Sequence, residues 1–204
     1  MEPFVRHSGK AVALPRDNVD TDQIIPKQFL KGVERTGLGP ALFYDWRYGP
    51  DGTPNPDFEL NRSSAQGASI LITGANFGCG SSREHAAWAL EDAGFRAILA
   101  PSFADIFFAN CCQNGLLPVR LLPQEIDELF RRVQAAGGDY ALTIDLEAQG
   151  VEDGHGFRTQ FGIDSYRREM LLRGLDEIGR TLLEESRIAA FERRRAIGTA
   201  GPVA

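Results

Sequence analysis

The chain of 204 residues has only three cysteines, at positions 79, 111 and 112, and therefore lacks a disulfide framework. No stretch approaches the roughly 18 apolar residues of a membrane span, and the N-terminus has no apolar core of a secretory signal. Basic residues number 22 against 28 acidic ones, so the net charge of −6 gives no general attraction to nucleic acid or to an acidic membrane surface. These absences favour a cytoplasmic location.

The composition predicts a folded domain, because 43% of the residues are hydrophobic and the length suffices to build a core. We expect a single domain over residues 1–196 and a frayed tail over residues 197–204. Residues 28–62 are rich in glycine, proline and aromatic residues without a sustained period, which predicts a long loop with short structured pieces.

Apolar segments outside this loop alternate between strand and helix patterns, which indicates an α/β fold with βαβ units and parallel strands. A strand is also predicted before the loop. The predicted strands are residues 11–14, 68–73 and 95–100, and the predicted helices are residues 82–93, 103–113 and 123–138.

The C-terminal part of the sequence has a different pattern. The segments YALTIDLEAQGV and GFRTQFGI predict two antiparallel strands around the turn EDGHG. From Asp164 to about Ala196 the pattern predicts a helical region, interrupted near Gly174 and Gly179.

The segment GANFGCGSSREHAA, residues 74–87, predicts a glycine-rich turn between a strand and a helix. Such a turn directs backbone N–H groups and the positive end of the helix dipole towards an anion. A Walker loop is excluded because Gly80 is followed by Ser81, Ser82 and Arg83, and a dinucleotide fingerprint would need glycine or alanine at position 83. A carboxylate held by two hydrogen bonds from Arg83 fits the segment better.

Other functions of this segment remain open on residue types alone. A serine hydrolase using Ser81 and His85 is disfavoured, because GxSxG is absent and a base one turn along the same helix seldom has the required geometry. His85 is then a helix residue that packs or hydrogen-bonds locally. The plainest alternative is a tight turn in which Ser81 or Ser82 caps the helix and Arg83 and Glu84 are solvated.

A metal site is disfavoured as well. The three cysteines lack the CxxC spacing of zinc and iron–sulfur sites. Cys111 and Cys112 are expected to be small buried apolar residues. Cys79 lies in the glycine-rich segment, near the candidate site.

The order of several motifs resembles the small subunits of bacterial isopropylmalate dehydratases, members of the aconitase superfamily. The motifs are DTDQIIPKQFLK, NPDF, GASILITGANFGCGSSREHAAWAL, APSFADIFFANCCQNGLLPV and DLEAQGV. The GSSREHA string is specific to the superfamily, and DTDQIIPKQFLK and SFADIF select this member. The resemblance implies a swivelling β/β/α domain, equivalent to the mobile last domain of aconitase, on a separate polypeptide.

The resemblance also implies a reaction and a partner. The expected reaction converts 2-isopropylmalate to 3-isopropylmalate through 2-isopropylmaleate, a step of leucine biosynthesis. In this family the 4Fe-4S cluster belongs to the large subunit, so this chain is expected to bind no cofactor and to be catalytically incomplete alone. No nucleic-acid or membrane partner is expected.

Site residues are carried over by their place in the motifs. The first serine of GSSRE, Ser81, is the expected base that takes a proton from carbon, while Ser82 and Arg83 are expected to bind a substrate carboxylate. Asp22 matches an active-site aspartate that could orient a partner group, although an Asx turn before Pro26 is an equal alternative.

The segment after Asp22, residues 28–37, matches the region whose residues read the variable side chain of the substrate in relatives. The alignment leaves several candidates open within it, namely Leu30, Lys31, Val33 and Arg35.

Two rival functions stay open at this point. The first is the small subunit of a related hydro-lyase, acting on homoaconitate, citraconate or dimethylmalate. The second is a stand-alone anion-binding regulatory module that has no enzyme partner. A neighbouring coding sequence for a large subunit with three cluster cysteines would disfavour the second.

Overall fold

The computed structural model describes residues 1–30 and 34–195, so the predicted tail at residues 197–204 lies outside the described residues. Strands in the described part form one sheet and have the bounds β1 Arg6–Leu14, β2 Ala68–Thr73, β3 Ala97–Ala100, β4 Leu117–Arg120, β5 Ala141–Asp145, β6 Gly150–Glu152 and β7 Arg158–Gln160. Their order across the sheet is β4-β3-β2-β1-β5-β6-β7.

The first half of the sheet is parallel, as the alternating pattern predicted. Strand β1 pairs in parallel with β2, β2 with β3, and β3 with β4. Strand β2 has the predicted bounds, whereas β1 begins five residues earlier than predicted and β3 two residues later. Every residue of β3 is buried, so both faces of this half are covered, as is usual for parallel sheets.

Helices in the described part have the bounds α1 Thr21–Ile24, α2 Tyr44–Arg47, α3 Glu84–Asp92, α4 Asp105–Gln113, α5 Pro123–Ala135, α6 Ser165–Arg173, α7 Glu177–Leu182 and α8 Glu185–Arg195. Helix α5 packs on β1, β2 and β3, while α3 lies beside α4 and α4 beside α6. None of the helices in residues 1–30 and 34–195 is long and apolar enough to cross a membrane.

Helix α3 begins two residues later than predicted. Arg83 is its N-cap residue and has extended backbone angles, φ −137° and ψ 112°, so the two serines before it lie outside the helix. Helix α4 likewise begins at Asp105 instead of Phe103, because the backbone of Ala104 is also extended.

The second half of the sheet is antiparallel, and one prediction for it is wrong. The segment YALTIDLEAQGV forms two strands, β5 and β6, because a turn with Gln149 at φ 52° breaks it. The predicted hairpin around EDGHG is confirmed as β6 and β7.

A buried carboxylate holds the turn of this hairpin. Asp153 accepts hydrogen bonds from the backbone N–H groups of His155 (2.7 Å) and Phe157 (2.9 Å), from the Tyr140 hydroxyl (2.9 Å) and from Arg132 Nη1 (2.8 Å). Burial alone would raise the pKa of Asp153, but these hydrogen bonds outweigh it and the pKa is lowered. The network ties α5 to the antiparallel end of the sheet.

The C-terminal region is helical with two breaks, of which one was predicted correctly. Gly174, at φ 64°, ends α6. The predicted break at Gly179 is wrong: this glycine lies inside α7, whose N-cap Asp176 accepts a hydrogen bond from its N–H at 2.6 Å. The second break falls instead between α7 and α8, at Leu183 and Glu184.

The connection between β1 and β2 contains α1, α2 and short 3₁₀ turns and has no strand among its described residues. Arg16 anchors it to the sheet, because its guanidinium lies 4.3 Å from the centre of the Trp46 ring and Nη2 is 3.1 Å from Glu59 Oε2. The connection thereby packs beside the sheet although most of it is irregular.

Candidate active site

Three loops meet where the parallel strands β1, β2 and β3 end. Backbone hydrogen bonds join them: Gly78 N donates to Val19 O at 2.8 Å, Phe77 N to Ser102 O at 3.1 Å, and Ala104 N to Phe77 O at 3.0 Å. Ligands of open α/β sheets bind at this carboxyl edge of the strands. The hydrogen bonds fix the three loops relative to one another and thus preorganise the site.

The glycine-rich loop after β2 needs its glycines. Gly78 and Gly80 have φ values of +76° and +89°, in the region that favours glycine. A Cβ on Gly78 would lie 2.1 Å from Cγ of Phe107, so the backbone lies directly against that ring. The Thr21 hydroxyl donates to the carbonyl oxygen of Ser81 at 2.8 Å and fixes the end of the loop.

A cavity of about 300 Å³ opens between this loop and the first turn of α4. Its lining includes Ser81, Ser82, Arg83, Ala104 and Ile106, and both serines are exposed. The N-termini of α3 and α4 both lie at this cavity, and neither has a side-chain cap. Uncapped N–H groups and two helix dipoles make the cavity suitable for an anion.

Arg83 supplies the positive charge of the cavity. Its Nη2 is 3.0 Å from Asp22 Oδ2, and its Nη1 bonds Asp22 Oδ1. The Arg83 side chain is only 11% exposed, against 42% for Asp22. The hydrogen bonds from Arg83 are the main reason that the pKa of the Asp22 carboxyl is lowered. The guanidinium is therefore positioned to bind a carboxylate with both of its terminal nitrogens.

This geometry contradicts the plainest alternative for the glycine-rich segment. Neither Ser81 nor Ser82 caps α3, since its N-cap residue is Arg83 and has no side-chain cap. Arg83 is not solvated either, and Glu84 accepts a hydrogen bond from Asn114 Nδ2 at 3.0 Å. The segment is thus more than a capped surface turn.

The Asx-turn alternative for Asp22 is also not what the structure shows. Asp20 is the residue that caps the short helix α1, because its Oδ1 accepts from Gln23 N at 2.8 Å. Gln23 Oε1 in turn accepts from Asp20 N at 2.9 Å, which completes a capping box. The carboxylate of Asp22 is thus directed to Arg83, from a position 61 residues away in the sequence.

Four residues are expected from the sequence to read the substrate side chain, and the structure describes two of them. Neither of these two lines this cavity. Leu30 is half-buried and packs against the hydrophobic core. Arg35 is exposed, and its guanidinium carbon lies 5.4 Å from the centre of the Trp88 ring, at a different cavity of about 430 Å³. Lys31 and Val33 lie outside the described residues.

His85 packs locally, against another side chain of its own helix. Its ring centre lies 4.6 Å from that of Trp88, one turn further along α3. The indole N–H of Trp88 donates to Oδ1 of the buried Asn114 at 3.0 Å. Sequence reasoning missed Asn114, because Asn110 and Gln113 are polar residues of the same stretch and nothing in the sequence distinguishes Asn114 from them.

The cysteines show no feature of a reactive or metal-binding set. Cys111 and Cys112 are buried in α4, and burial raises the pKa of Cys112 to about 12 and holds that of Cys111 well above its ordinary value. Burial also raises the pKa of the half-buried Cys79 thiol. Over residues 1–30 and 34–195, no three or more His, Cys, Asp or Glu side chains are grouped so that they could hold a metal ion.

Comparisons with known proteins agree with this architecture. Residues 1–124 match the family model described as the aconitase C-terminal domain, and residues 127–165 match a second model, LeuD_N. A solved structure of a 3-isopropylmalate dehydratase from Methanocaldococcus jannaschii superposes with a TM-score of 0.65 and 25% identity, over 90% of this chain and 99% of that one. The fold and the site thus define a domain of the aconitase swivelling type, which confirms the predicted fold class.

Curated relatives narrow the class to one family. A 3-isopropylmalate dehydratase small subunit from Geobacillus kaustophilus is 60% identical over 194 residues, which cover 95% of this chain and 98% of the relative. One from Rhodopirellula baltica is 59% identical over 196 residues, 96% of this chain and 100% of the relative. The chain therefore belongs to the family of 3-isopropylmalate dehydratase small subunits.

Proposed function

We propose that this chain is the small subunit of a hydro-lyase that interconverts 2-isopropylmalate and 3-isopropylmalate through 2-isopropylmaleate in leucine biosynthesis. The observation that carries the proposal is Arg83, largely buried and held with both terminal nitrogens on a carboxylate, in the lining of the cavity that also contains the exposed residue Ser81. The names of the relatives support it, because they specify a small subunit of 3-isopropylmalate dehydratase at 60% identity.

Arg83 and Ser82 bind one carboxylate of the substrate in this proposal. The bidentate geometry seen with Asp22 is the geometry that a substrate carboxylate would take. Asp22 would then release Arg83 and orient a neighbouring group. Binding one carboxylate at this edge places the rest of a malate skeleton over the mouth of the cavity.

Ser81 is the proposed base that removes the proton from the substrate carbon. A helix dipole contributes at most ~2 kcal/mol, equivalent to about 1.5 pKa units, which cannot produce an alkoxide. The structure reduces this contribution further, since α3 begins at Glu84, three residues after Ser81. The Arg83 charge, the free N–H groups of α4 and the exclusion of water must therefore supply most of the activation.

The large subunit is the proposed partner and the proposed carrier of the 4Fe-4S cluster. Dehydration requires a Lewis acid for the leaving hydroxide as well as a base. The described cysteine, histidine and acidic side chains of this chain do not form a group that fits such a cluster. In this proposal the small subunit holds the substrate carboxylate and moves the proton, and the large subunit supplies the Lewis acid.

The test of this function is reconstitution with the large subunit under anaerobic conditions, followed by an assay on 2-isopropylmalate. Ser81→Ala should lower kcat by at least ~100-fold, the low end for loss of a general base. Ser63→Ala is the matched control, because Ser63 is an exposed serine that does not line the cavity. Near-normal turnover by Ser81→Ala would contradict the assignment of the base.

Substrate identity needs a separate comparison within the same reconstituted pair. We propose that residues 28–37, including Leu30, Lys31, Val33 and Arg35, read the substrate side chain when the two subunits close. Assays on homoaconitate, citraconate and dimethylmalate rank the alternatives, and a preference for a tricarboxylate would exclude the leucine-pathway assignment. We also propose a cytoplasmic location, which cell fractionation would test.

A further inference from the structure

One exposed apolar side chain stands at the candidate site. Ile106 is 57% exposed in the first turn of α4 and lines the cavity that Ser81 and Arg83 share. Among the exposed large apolar side chains in the described ranges, it is the one that lines this cavity. The others lie mainly on the C-terminal helices, at positions including Ile178 and Leu182.

The position of Ile106 contributes little to the fold of this chain. As a β-branched residue it is not a preferred helix former, and its exposure leaves much of its apolar surface in water. The neighbouring Phe107 is 2% exposed and packs against Gly78, so the core contacts of this turn are made without Ile106. Single exposed apolar residues are common, so exposure alone does not indicate a function for Ile106. Its location in the lining of the cavity does.

The proposed function, on which this inference rests, requires a partner at this location. A malate-type substrate held by Arg83 is only a few bonds long, so the Lewis acid of the large subunit must approach within bonding distance of the mouth of the cavity. Protein surface of the partner must then surround that mouth to exclude water. A side chain at the rim of the mouth is consequently covered when the subunits close.

We propose that Ile106 is an apolar anchor of the interface with the cluster-bearing large subunit, inserted into an apolar pocket next to the shared active site. The surroundings of Ile106 match the usual arrangement of an interface anchor. Exposed polar groups, Ser81, Ser82 and the 99% exposed side chain of Asp105, flank the apolar side chain. An apolar centre with a polar rim is the arrangement in which few residues carry most of the binding energy.

The test measures the affinity of the full chain for the purified large subunit by analytical ultracentrifugation. Ile106→Ala should raise Kd by roughly tenfold and Ile106→Glu by roughly 100-fold, as expected for an anchor residue. At limiting large subunit the activity of Ile106→Ala on 2-isopropylmalate should fall in parallel, and an excess of large subunit should restore it. Ile178→Ala is the control, since Ile178 is 72% exposed on α7 and should leave Kd unchanged.

An unchanged Kd for both Ile106 variants would overturn the proposal, as would a raised KM for 2-isopropylmalate with an unchanged Kd. Thermal unfolding of each isolated variant verifies that an effect on Kd does not come from misfolding. If the wild-type pair associates but does not convert 2-isopropylmalate, the proposed function fails, and the Kd comparison still decides whether Ile106 is an anchor.

Discussion

Replacing Asp22 by asparagine should make the isolated chain bind small dicarboxylates more tightly. In the wild-type chain the Arg83 guanidinium is already engaged with the Asp22 carboxylate. If Arg83 binds a substrate carboxylate, as we propose, that carboxylate must first displace the internal partner. The amide of Asp22→Asn has nearly the same size and no charge, so it competes with the ligand much less.

The size of the effect follows from the exposure of the pair. Asp22 is 42% exposed, so solvent screening limits this bidentate pair to about 1 kcal/mol in spite of its geometry. Displacing it therefore weakens ligand binding by about fivefold in the wild-type chain, and Asp22→Asn should recover that factor. The variant should also lose about 1–2 kcal/mol of unfolding free energy, because Arg83 is left largely buried without an anionic partner.

The assay is a calorimetric titration of the isolated chain with malonate and with 2-isopropylmalate. Asp105→Asn is the matched control, since Asp105 lines the same cavity and its removal changes the net charge equally. Its side chain is 99% exposed and lies 3.6 Å from Arg120, so the control does not release Arg83. Tighter binding should appear in Asp22→Asn alone. Equal or weaker binding would show that Asp22 assists the ligand instead of competing with it.

The same pair predicts a pH dependence of stability. The pKa of Asp22 is lowered in the folded chain, so its contribution is fully present above the unfolded value of about 4 and is lost as pH falls through the folded value. The difference in unfolding free energy between the wild type and Asp22→Asn should consequently shrink below about pH 4. Urea unfolding at pH 3 and pH 7 measures this change, and a constant difference would contradict the ion pair.

Two further predictions concern the loops that hold the site and the sheet. Gly78→Ala should lower the free energy of unfolding, measured in urea, by at least about 3 kcal/mol, because it adds a clash with Phe107 to the strain of φ +76°. Gly37→Ala is the control: at φ +84° with open space around it, it should lower the free energy of unfolding by only about 1–2 kcal/mol. Asp153→Asn should cost about 3 kcal/mol at pH 7, because it removes a buried carboxylate from Arg132 and Tyr140. Since the pKa of Asp153 is lowered, that cost should also diminish as pH falls below about 4, and an equal cost at pH 3 would contradict this account.

The regular elements with a strong local signal could be predicted from the sequence. Strand β2 is centred on three consecutive apolar residues, Ile70, Leu71 and Ile72, and has its predicted bounds. Helix α5 begins at its predicted proline, although it ends at Ala135 instead of in the following glycines. The break in YALTIDLEAQGV was missed because its left-handed residue is Gln149, a residue type that gives no turn signal of its own.

The candidate site was predictable only in part. The glycine-rich turn before a helix could be predicted from local residue types, and the binding of a substrate carboxylate by Arg83 stays a prediction. The partner of Arg83 within the chain could not be predicted, because Asp22 and Asp20 are equally good turn residues and only the meeting of the loops after the adjacent strands β1 and β2 distinguishes them. The role of the first turn of α4 was also hidden, since an isoleucine in an apolar stretch gives no sign that it faces solvent.

The adjacency of β1 and β2 has an evolutionary consequence. Their parallel register, with Leu14 opposite Thr73, brings the segment just after β1, which carries Asp22, beside the loop after β2 without involving the later part of the long connection between the two strands. Insertions or deletions in the irregular part of that connection can therefore accumulate without altering the distance between Asp22 and Arg83. A lineage can accordingly change the length of this segment while inheriting an unchanged pair of Asp22 and Arg83. If residues 28–37 read the substrate side chain, as we propose, new specificities can arise by changes in loop length.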